Sequence, residues 1–247
     1  MNDAEIAAHL AEDAGRILME VRASERHHGP ELGRAGDVEA NAVLVKALRK
    51  LRPEDGLLSE EEKDSAERLG KRRVWIIDPL DGTREYSEGR SDWAVHVALA
   101  VDGQARVGAV ALPALGLVLR SDRPMAAPAL PGRPRITVSR TRPPAESLAV
   151  AEALGADLVP LGSAGAKAMA VVRGEAEIYL HSGGQHQWDN CAPVAVALAH
   201  GLHCSRLDGS PLVYNARDTA MPDVLICRSE WADPVIESLG RALREPR

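Results

Sequence analysis

The most informative stretch of the chain is Val74-Trp75-Ile76-Ile77-Asp78-Pro79-Leu80-Asp81-Gly82-Thr83. Its first four residues predict a short buried strand, and Pro79 with Gly82 predicts a tight turn from which a helix begins. Asp78 and Asp81 would then face one spot, with the Leu80 carbonyl between them. These oxygen donors suit Mg²⁺, and the free N–H groups after Gly82 suit a phosphate. On spacing alone, the commoner alternative is a strand that ends in an ordinary Asp-Gly turn.

Composition limits the class of protein. The 247 residues, 45% of them hydrophobic and 27% charged, suffice for the core of one large domain or two modest ones. With 3% aromatic residues and no Phe, that core must consist mainly of Ala, Val, Leu and Ile. The net charge of −6 disfavours broad binding to nucleic acids or anionic membranes, which requires a basic face. An anionic substrate must therefore be met locally, by metal ions and a few cationic side chains.

Cysteine usage and the first residues bear on location. Cys191, Cys204 and Cys227 are widely spaced and form no C-x-x-C pair, which suits a reducing cytoplasm. Residues 1–5 lack the basic start and apolar core of a signal peptide, and no run approaches the roughly 20 apolar residues of a membrane span. We therefore expect a cytoplasmic protein with no membrane partner, and Cys191 as a small core residue. The sequence leaves the oligomeric state open, with a homodimer as one candidate.

Periodicity divides the chain into two units. In the first, apolar spacing predicts two amphipathic helices, around residues 6–21 and 38–48, ahead of the strand at 74–77. Strands at 93–101 and 107–111 flank Asp102-Gly103, which is typical of a β-hairpin. Prolines 124, 128, 131 and 134 interrupt helix and strand patterns alike. We therefore place a boundary there and predict an α+β unit over residues 1–130.

The second unit, residues 131–247, alternates strand and helix patterns, which predicts an α/β arrangement. Strands are predicted at 136–138, 157–161, 178–180 and 224–226. Helices are predicted at 145–154, 164–173, 190–200 and 233–243.

Three segments, in this order along the chain, resemble the signature of one family. They are Leu57-Leu58-Ser59-Glu60-Glu61, then Asp78 to Thr83, then Trp188-Asp189 at the start of an apolar helix. Together they resemble the inositol monophosphatase family of metal-dependent, lithium-sensitive phosphatases, over nearly the whole chain. The resemblance implies an inositol monophosphatase/fructose-1,6-bisphosphatase-like αβαβα sandwich that layers α/β and α+β units. It also implies an active site between a metal-binding N-terminal half and a substrate-recognising C-terminal half.

The resemblance implies a site of four carboxylates and one carbonyl around two or three Mg²⁺. Its ligands would be Glu60, Asp78, Leu80 through its carbonyl, Asp81 and Asp189. Because Glu60 opens a run of three glutamates, Glu61 or Glu62 replaces it if the register slips. Taken alone, such a run is a solvated helix start, and Asp189 is a helix cap. Paired ions of this kind polarise a phosphoryl group and neutralise its leaving oxygen.

The resemblance also implies a proton acceptor. The family keeps a carboxylate that hydrogen-bonds the Thr of Asp-Gly-Thr, and Asp37 stands at that position relative to Thr83. The catalytic set would be Asp37, Thr83 and Glu60, with direct in-line attack by water and no phosphoenzyme. Without the resemblance, Asp37 is more readily interpreted as a helix N-cap.

Substrate choice is expected in the second unit, where the chain departs from inositol phosphatases. Those enzymes carry a ring-binding Glu ahead of the Trp-Asp pair, at the position of His181, which is followed here by the inserted-looking Ser182-Gly183-Gly184-Gln185. The segments 138–142 and 162–167 instead resemble the branch of the family, often called the CysQ type, that removes the 3′-phosphate from 3′-phosphoadenosine 5′-phosphate.

Substrate contacts are accordingly expected from Gly82, Thr83, Ser139, Arg140, Ser163, Lys167, His181 and Asp189. A bisphosphate nucleotide has a second phosphate that Lys167, Ser163 or Arg140 could hold by charge-assisted hydrogen bonds. Equally, Ser163 could cap a helix while Lys167 and Arg140 are exposed surface charges. The remaining histidines are expected at the surface or in packing.

Three functions compete. The favoured one is a Mg²⁺-dependent 3′(2′),5′-bisphosphate nucleotidase that yields AMP and phosphate and clears a product inhibitor in sulfate assimilation. The second is an inositol-1-phosphate or fructose-1,6-bisphosphate phosphatase of broad specificity. The third is a regulatory, partner-binding protein, which the complete carboxylate set and the acidic net charge disfavour. For either enzyme the partner is a small-molecule phosphate ester, not a nucleic acid or a membrane.

Overall fold

The computed structural model describes residues 1–126 and 132–242, the last two by backbone alone. The helices of these residues are α1 (Asp3–Ala23), α2 (Pro30–Leu51), α3 (Thr83–Ser87), α4 (Ala145–Leu154), α5 (Ala164–Val172), α6 (Gln187–Ala199) and α7 (Ala232–Ala242). The strands are β1 (Gly56–Ser59), β2 (Arg73–Asp81), β3 (Ala94–Val101), β4 (Gln104–Leu112), β5 (Leu117–Arg120), β6 (Arg135–Ser139), β7 (Asp157–Leu161), β8 (Ile178–His186), β9 (His203–Ser205) and β10 (Ala220–Cys227).

The first sheet has the strand order β1-β2-β3-β4-β5, with β1 and β2 parallel and the other neighbours antiparallel. Helices α1 and α2 pack on one face of this sheet, and α6 packs on the other. Because both faces are covered, β2 and β3 are buried along nearly their whole length and consist mostly of apolar residues.

The second sheet has the order β7-β6-β8-β10-β9, with β6 parallel to both of its neighbours and the remaining pairs antiparallel. Helices α5 and α6 lie between the two sheets and contribute to a core that both sheets share. Helices α4 and α7 cover the outer face of the second sheet over a separate core.

The layers therefore run helices, sheet, helices, sheet, helices. This is the predicted αβαβα sandwich, and the fold prediction is confirmed. Helix α6 lies within the second unit in sequence yet packs against β3 and β4 of the first sheet. The two halves are thus joined through a common core, and side chains at the start of α6 face the end of β2.

Helix α2 begins at Pro30 rather than near residue 38. Proline suits the first helical position, since its missing N–H would have no helical partner there. Glycines then allow the close approach of α3: a Cβ at Gly33 would lie 2.5 Å from Thr83 Cγ2. Asp37 consequently lies well inside the helix, so its interpretation as an N-cap is wrong.

Two strands run further than their apolar cores predict. Strand β2 continues to Asp81, with its pairing to β3 interrupted between Asp78 and Asp81. Strand β8 continues through residues 182–185, where Gly183 and Gly184 adopt positive φ beside a break in register with β10. The segment that looked inserted is therefore an irregular part of a strand.

Short strands escaped the periodicity analysis, namely β1, β5 and β9, which have four, four and three residues. The predicted boundary between residues 130 and 131 lies outside the described residues. Within the described part of the chain, no helix is long and apolar enough to cross a membrane.

Candidate metal centre and active site

The carboxyl ends of β1 and β2 lie side by side and position two acidic residues. These strands are parallel with Ser59 opposite Ile77, so Glu60 and Asp78, the next residues, are neighbours. The Glu60 N–H donates to the Ile77 carbonyl at 3.3 Å, which holds the chain in this register. The Glu60 carboxyl contacts that of Asp78.

The three consecutive glutamates are distinguished by the residues that each of them contacts. Glu62 accepts a hydrogen bond from Arg49 at 2.9 Å and is thereby tied to α2. Glu61 lies close enough to Asp37 to raise the pKa of that carboxyl. Glu60 alone of the three contacts Asp78, and it follows a strand rather than starting a helix.

The interruption after Asp78 turns the chain so that a second carboxylate of β2 faces the same spot. Asp78 Oδ1 accepts the Leu80 N–H at 3.0 Å, which closes the turn around Pro79. Gly82 has φ +91°, a left-handed conformation that favours glycine, and it directly precedes α3. The turn thus brings Asp78 and Asp81 together ahead of the Gly82-Thr83 corner.

Asp189 comes from the other half of the molecule. It lies in the first turn of α6, where its carboxylate accepts the His186 N–H at 2.5 Å. One carboxylate oxygen from each of Asp78, Asp81 and Asp189 lies within 4.8 Å of the others. Asp189 therefore caps a helix and faces the acidic cluster at once, as the two interpretations of the sequence allowed.

Burial and mutual repulsion dominate the electrostatics of this cluster. Burial, then the charges of Glu60, Asp81 and Asp189, hold the pKa of Asp78 well above its usual range. Burial and the Asp81 charge raise the pKa of Asp189 to about 7. Glu60 also has a raised pKa, mainly through burial. Negative charge is thus concentrated where little water can solvate it.

The donor set fits Mg²⁺. The converging groups are carboxylate oxygens, without a thiolate, and hard divalent cations prefer oxygen ligands. A cation bound here would also neutralise the repulsion that raises the carboxyl pKa values. Of the residues that the resemblance assigned to metal, Asp78, Asp81 and Asp189 converge, and Glu60 lies beside Asp78 at the edge of the group.

Asp81 differs from its neighbours because it is richly hydrogen-bonded. Its carboxylate accepts the N–H groups of Ala164 at 3.2 Å and Gly165 at 2.5 Å, at the start of α5. Burial acts to raise its pKa, but His96 and the Gly165 N–H outweigh that effect and lower it. Asp81 is therefore an ionised carboxylate held by the second half of the molecule.

His96 lies beside the acidic cluster, and sequence reasoning did not single it out, placing it with the histidines expected at the surface or in packing. It is fully buried on β3, with Nε2 3.3 Å from Asp81 Oδ2 and Nδ1 3.0 Å from the Trp188 carbonyl. One signal was available, because a single histidine interrupts the otherwise apolar run 93–101.

Asp37 and Thr83 are brought near each other by α2 and α3. Gly33 lies one helical turn before Asp37 and abuts Thr83. The Thr83 hydroxyl donates to the Leu80 carbonyl at 3.2 Å instead of to Asp37. Burial, with the charges of Glu61 and Glu60, raises the pKa of Asp37 to about 7.

That raised pKa predicts a pH-dependent stability. The unfolded carboxyl loses its proton near pH 4 and the folded one near pH 7, so the free energy of unfolding should fall between these values. Asp37→Asn should remove this loss, stabilising metal-free protein by up to about 4 kcal/mol at about pH 8 and by little at about pH 4. Urea unfolding in a chelator measures both, with exposed Glu39→Gln as the control. A stabilisation equal at both pH values would contradict the prediction.

Two of the expected substrate residues are buried and already make hydrogen bonds within the protein. Ser163 caps α5, its hydroxyl accepting the Ala166 N–H at 2.8 Å. Lys167 is 4% exposed, and its ammonium donates to the carbonyls of Gly162 and Ser163. Lys167 as an exposed surface charge is therefore wrong. Its charge stabilises the turn that begins α5, beside Asp81.

Arg140 makes a contact between the halves, whereas its neighbour Ser139 makes a local one. Arg140 Nη2 donates to Glu85 at 3.1 Å and to Glu88 at 2.8 Å, so this guanidinium is an interdomain ion pair rather than a free surface charge. Ser139 Oγ accepts the Arg142 N–H at 3.2 Å. The ion pairs of Arg140 thus hold the end of β6 against α3, the helix that begins at the Gly82-Thr83 corner.

His181 lies on β8 with its Nδ1 buried and without a hydrogen-bond partner. Burial, and then the charge of Lys167, lower its pKa, so the ring is neutral at physiological pH. A neutral imidazole cannot replace the charge of a ring-binding glutamate. Cys191 is fully buried and all three cysteines are free thiols, in line with a packing role.

Comparison with known proteins agrees with this geometry. The family model for the inositol monophosphatase family matches residues 2–242. The 3′-phosphoadenosine 5′-phosphate phosphatase of Mycobacterium tuberculosis is 52% identical over 243 residues, which cover 94% of this chain and 91% of the relative. The 3′(2′),5′-bisphosphate nucleotidase CysQ of Escherichia coli is 30% identical over 239 residues, covering 85% and 93%.

A solved structure shares the fold. CysQ from Bacteroides thetaiotaomicron, a bacterial member of the inositol monophosphatase family, superimposes with a TM-score of 0.80 at 22% identity, covering 92% of this chain and 97% of that one. The match to the family model spans nearly the whole sequence, and the layered fold and the acidic cluster agree with it. The chain belongs to the inositol monophosphatase family.

Proposed function

We propose that this protein is a Mg²⁺-dependent phosphatase that hydrolyses the 3′-phosphate of 3′-phosphoadenosine 5′-phosphate, yielding AMP and phosphate. The observation that carries the proposal is the convergence of Asp78, Asp81 and Asp189, with Glu60 beside Asp78, from both halves of the fold. The high identity to relatives named for this activity supports the choice of substrate. A role in sulfate assimilation, by removal of this nucleotide, is part of the same proposal.

The residues proposed to hold two or three Mg²⁺ are the four carboxylates and the Leu80 carbonyl. When bound, the cations would polarise the phosphoryl group and neutralise charge on the leaving oxygen. The chain itself supplies orientation: the Gly82-Thr83 corner offers backbone N–H groups to the phosphate. The hydrogen bonds on Asp81 keep its carboxylate ionised and fixed.

Asp37 and Thr83 are proposed to receive the proton of the attacking water. A hydroxyl both accepts and donates, so Thr83 can take a proton from water while passing its own to a carboxylate. Its donor bond to the Leu80 carbonyl would then swing towards Asp37. Asp37, with a pKa of about 7, is suited to accept a proton near neutral pH.

Recognition of a bisphosphate is proposed to lie around the start of α5. The Lys167 ammonium uses two of its three donors on carbonyls, which leaves one donor and the full charge for a second phosphate. Ser163, Ser139 and the neutral His181 ring are further candidates for polar contacts. Arg140 would contribute only by exchanging Glu85 or Glu88 for the phosphate.

An inositol-1-phosphate or fructose-1,6-bisphosphate phosphatase of broad specificity remains the second candidate. The shared metal chemistry favours it, since solved inositol monophosphatases superimpose on this chain. The absence of a carboxylate at His181 disfavours it. A purely regulatory, partner-binding role would leave the buried carboxylate cluster without a purpose, and we do not favour it.

Steady-state kinetics with matched substrates test the proposal. Adenosine 3′-phosphate carries the same ester as the bisphosphate but lacks the 5′-phosphate. One charge-assisted contact contributes about 1.5–3 kcal/mol, so kcat/KM should be roughly ten- to a hundredfold higher for the bisphosphate. It should also exceed the values for inositol-1-phosphate and fructose-1,6-bisphosphate. A preference for inositol-1-phosphate would refute the nucleotidase assignment.

A further inference from the structure

One imidazole joins the two segments that carry carboxylates of the metal centre. His96 lies in the middle of β3, with a side chain that is fully buried. Its Nδ1 is 3.0 Å from the carbonyl of Trp188, the residue directly before Asp189. Its Nε2 is 3.3 Å from Oδ2 of Asp81. The ring therefore lies between Asp81, from the first half, and Trp188, which adjoins Asp189 in the second half.

The surroundings of this ring are tightly closed. Gly165 packs directly against it, and a Cβ at that position would overlap Nε2 and come within 3.0 Å of Asp81 Oδ2. Nε2 is buried and makes no hydrogen bond of good geometry, and the Asp81 carboxylate at 3.3 Å is the acceptor that it faces. The Trp188 ring in turn stacks on His186, the residue that caps α6 through Asp189. Each neighbour of His96 thus bears on the position of Asp81 or Asp189.

We propose that His96 is a positioning residue that sets the spacing between Asp81 and Asp189 for the bound cations. The inference rests on the proposed metal chemistry and adds a residue that none of the assignments above contains. Residues that orient ligands of a metal typically affect its affinity 10- to 100-fold. A histidine that only fills space would instead be replaceable by an apolar side chain of similar volume without loss of affinity.

Calorimetric titration of the metal-free protein with Mg²⁺ separates these roles. His96→Asn keeps a donor for the Trp188 carbonyl but is too short to reach Asp81, and His96→Leu removes both contacts. Both variants should bind Mg²⁺ roughly 10- to 100-fold more weakly than wild type. Raising the Mg²⁺ concentration should restore most of the turnover of His96→Asn, because the carboxylates themselves are intact.

His200→Asn is the matched control. Its Nδ1 also bonds a backbone carbonyl, that of Val196 at 2.7 Å, and its Nε2 is likewise buried without a partner, but it faces no ligand carboxylate. This variant should bind Mg²⁺ as wild type does. If the His96 variants do not fold, Gly165→Ala tests the same contact by displacing the ring, and it should weaken Mg²⁺ binding comparably.

Two results would overturn the inference, and they have different consequences for the proposed function. If His96→Leu or Gly165→Ala binds Mg²⁺ with an affinity within about twofold of wild type, the positioning role alone is overturned and the proposed function stands. A wild-type protein that binds no Mg²⁺ would overturn the metal chemistry and this inference together.

Discussion

Asp78→Asn is expected to reduce phosphate release to the background rate while leaving the fold intact. Asp78 is almost fully buried and lies among three other carboxylates, so it would be a central residue in holding the cations. Its loss should exceed the roughly 10- to 100-fold effect of residues that only orient a ligand. Because burial and repulsion hold its pKa far above the usual range, the substitution should maintain or raise the melting temperature of the metal-free protein.

The neighbouring Asp81→Asn should be equally inactive but less stable. Asp81 accepts two backbone N–H groups and faces His96, and an amide cannot accept all of these. Its melting temperature without metal should therefore fall. Phosphate release and calorimetric melting measure both effects, with exposed Asp157→Asn as the control. Near-normal turnover in either ligand variant would show that the metal site is misassigned.

Thr83→Ala and Asp37→Asn are each expected to slow the chemical step by roughly 10²- to 10⁴-fold, the range of general-base catalysis. The double variant should be little slower than the worse single variant, because residues that act as one relay are not additive. Helix α2 packs on α3 so that Gly33, one helical turn before Asp37, abuts Thr83. This packing is why we expect Asp37 and Thr83 to act as one relay.

Single-turnover rates of the four proteins close this double-mutant cycle. The cycle is informative because the Thr83 hydroxyl donates to the Leu80 carbonyl in the structure, so the relay requires it to change partner. Fully additive losses would mean that the two residues act separately. Asp37 would then affect the reaction only through its charge near Glu60 and Glu61.

The parts of the site that could be predicted from the sequence are those carried by local patterns. Asp78 and Asp81 stand three residues apart on either side of a proline, and that spacing suggested convergence, although on spacing alone an ordinary Asp-Gly turn was the commoner interpretation. The layered sandwich was implied by the family resemblance, but its helices α1, α5 and α7 and its buried strands were predicted from apolar periods. In each case the determining interactions lie within a few residues of one another along the chain.

What could not be predicted depends on contacts between distant segments. Asp37 was open to interpretation as a helix cap because the sequence pattern did not show that α2 begins at Pro30. The glycines that allow α2 to pack closely on α3 have no visible partner in the sequence. Lys167 is buried because α5 packs between strands of both sheets, although its carbonyl acceptors lie only four and five residues before it. The role of His96 becomes visible only in the folded structure, where its ring contacts both Asp81 and Trp188.

The most direct test of the proposed function is the identity of the product formed from adenosine 3′,5′-bisphosphate, followed by phosphorus NMR with Mg²⁺ and with a chelator. We predict adenosine 5′-phosphate and inorganic phosphate with Mg²⁺, and no turnover in the chelator. Release of adenosine 3′-phosphate, or hydrolysis that proceeds unchanged in the chelator, would contradict the account.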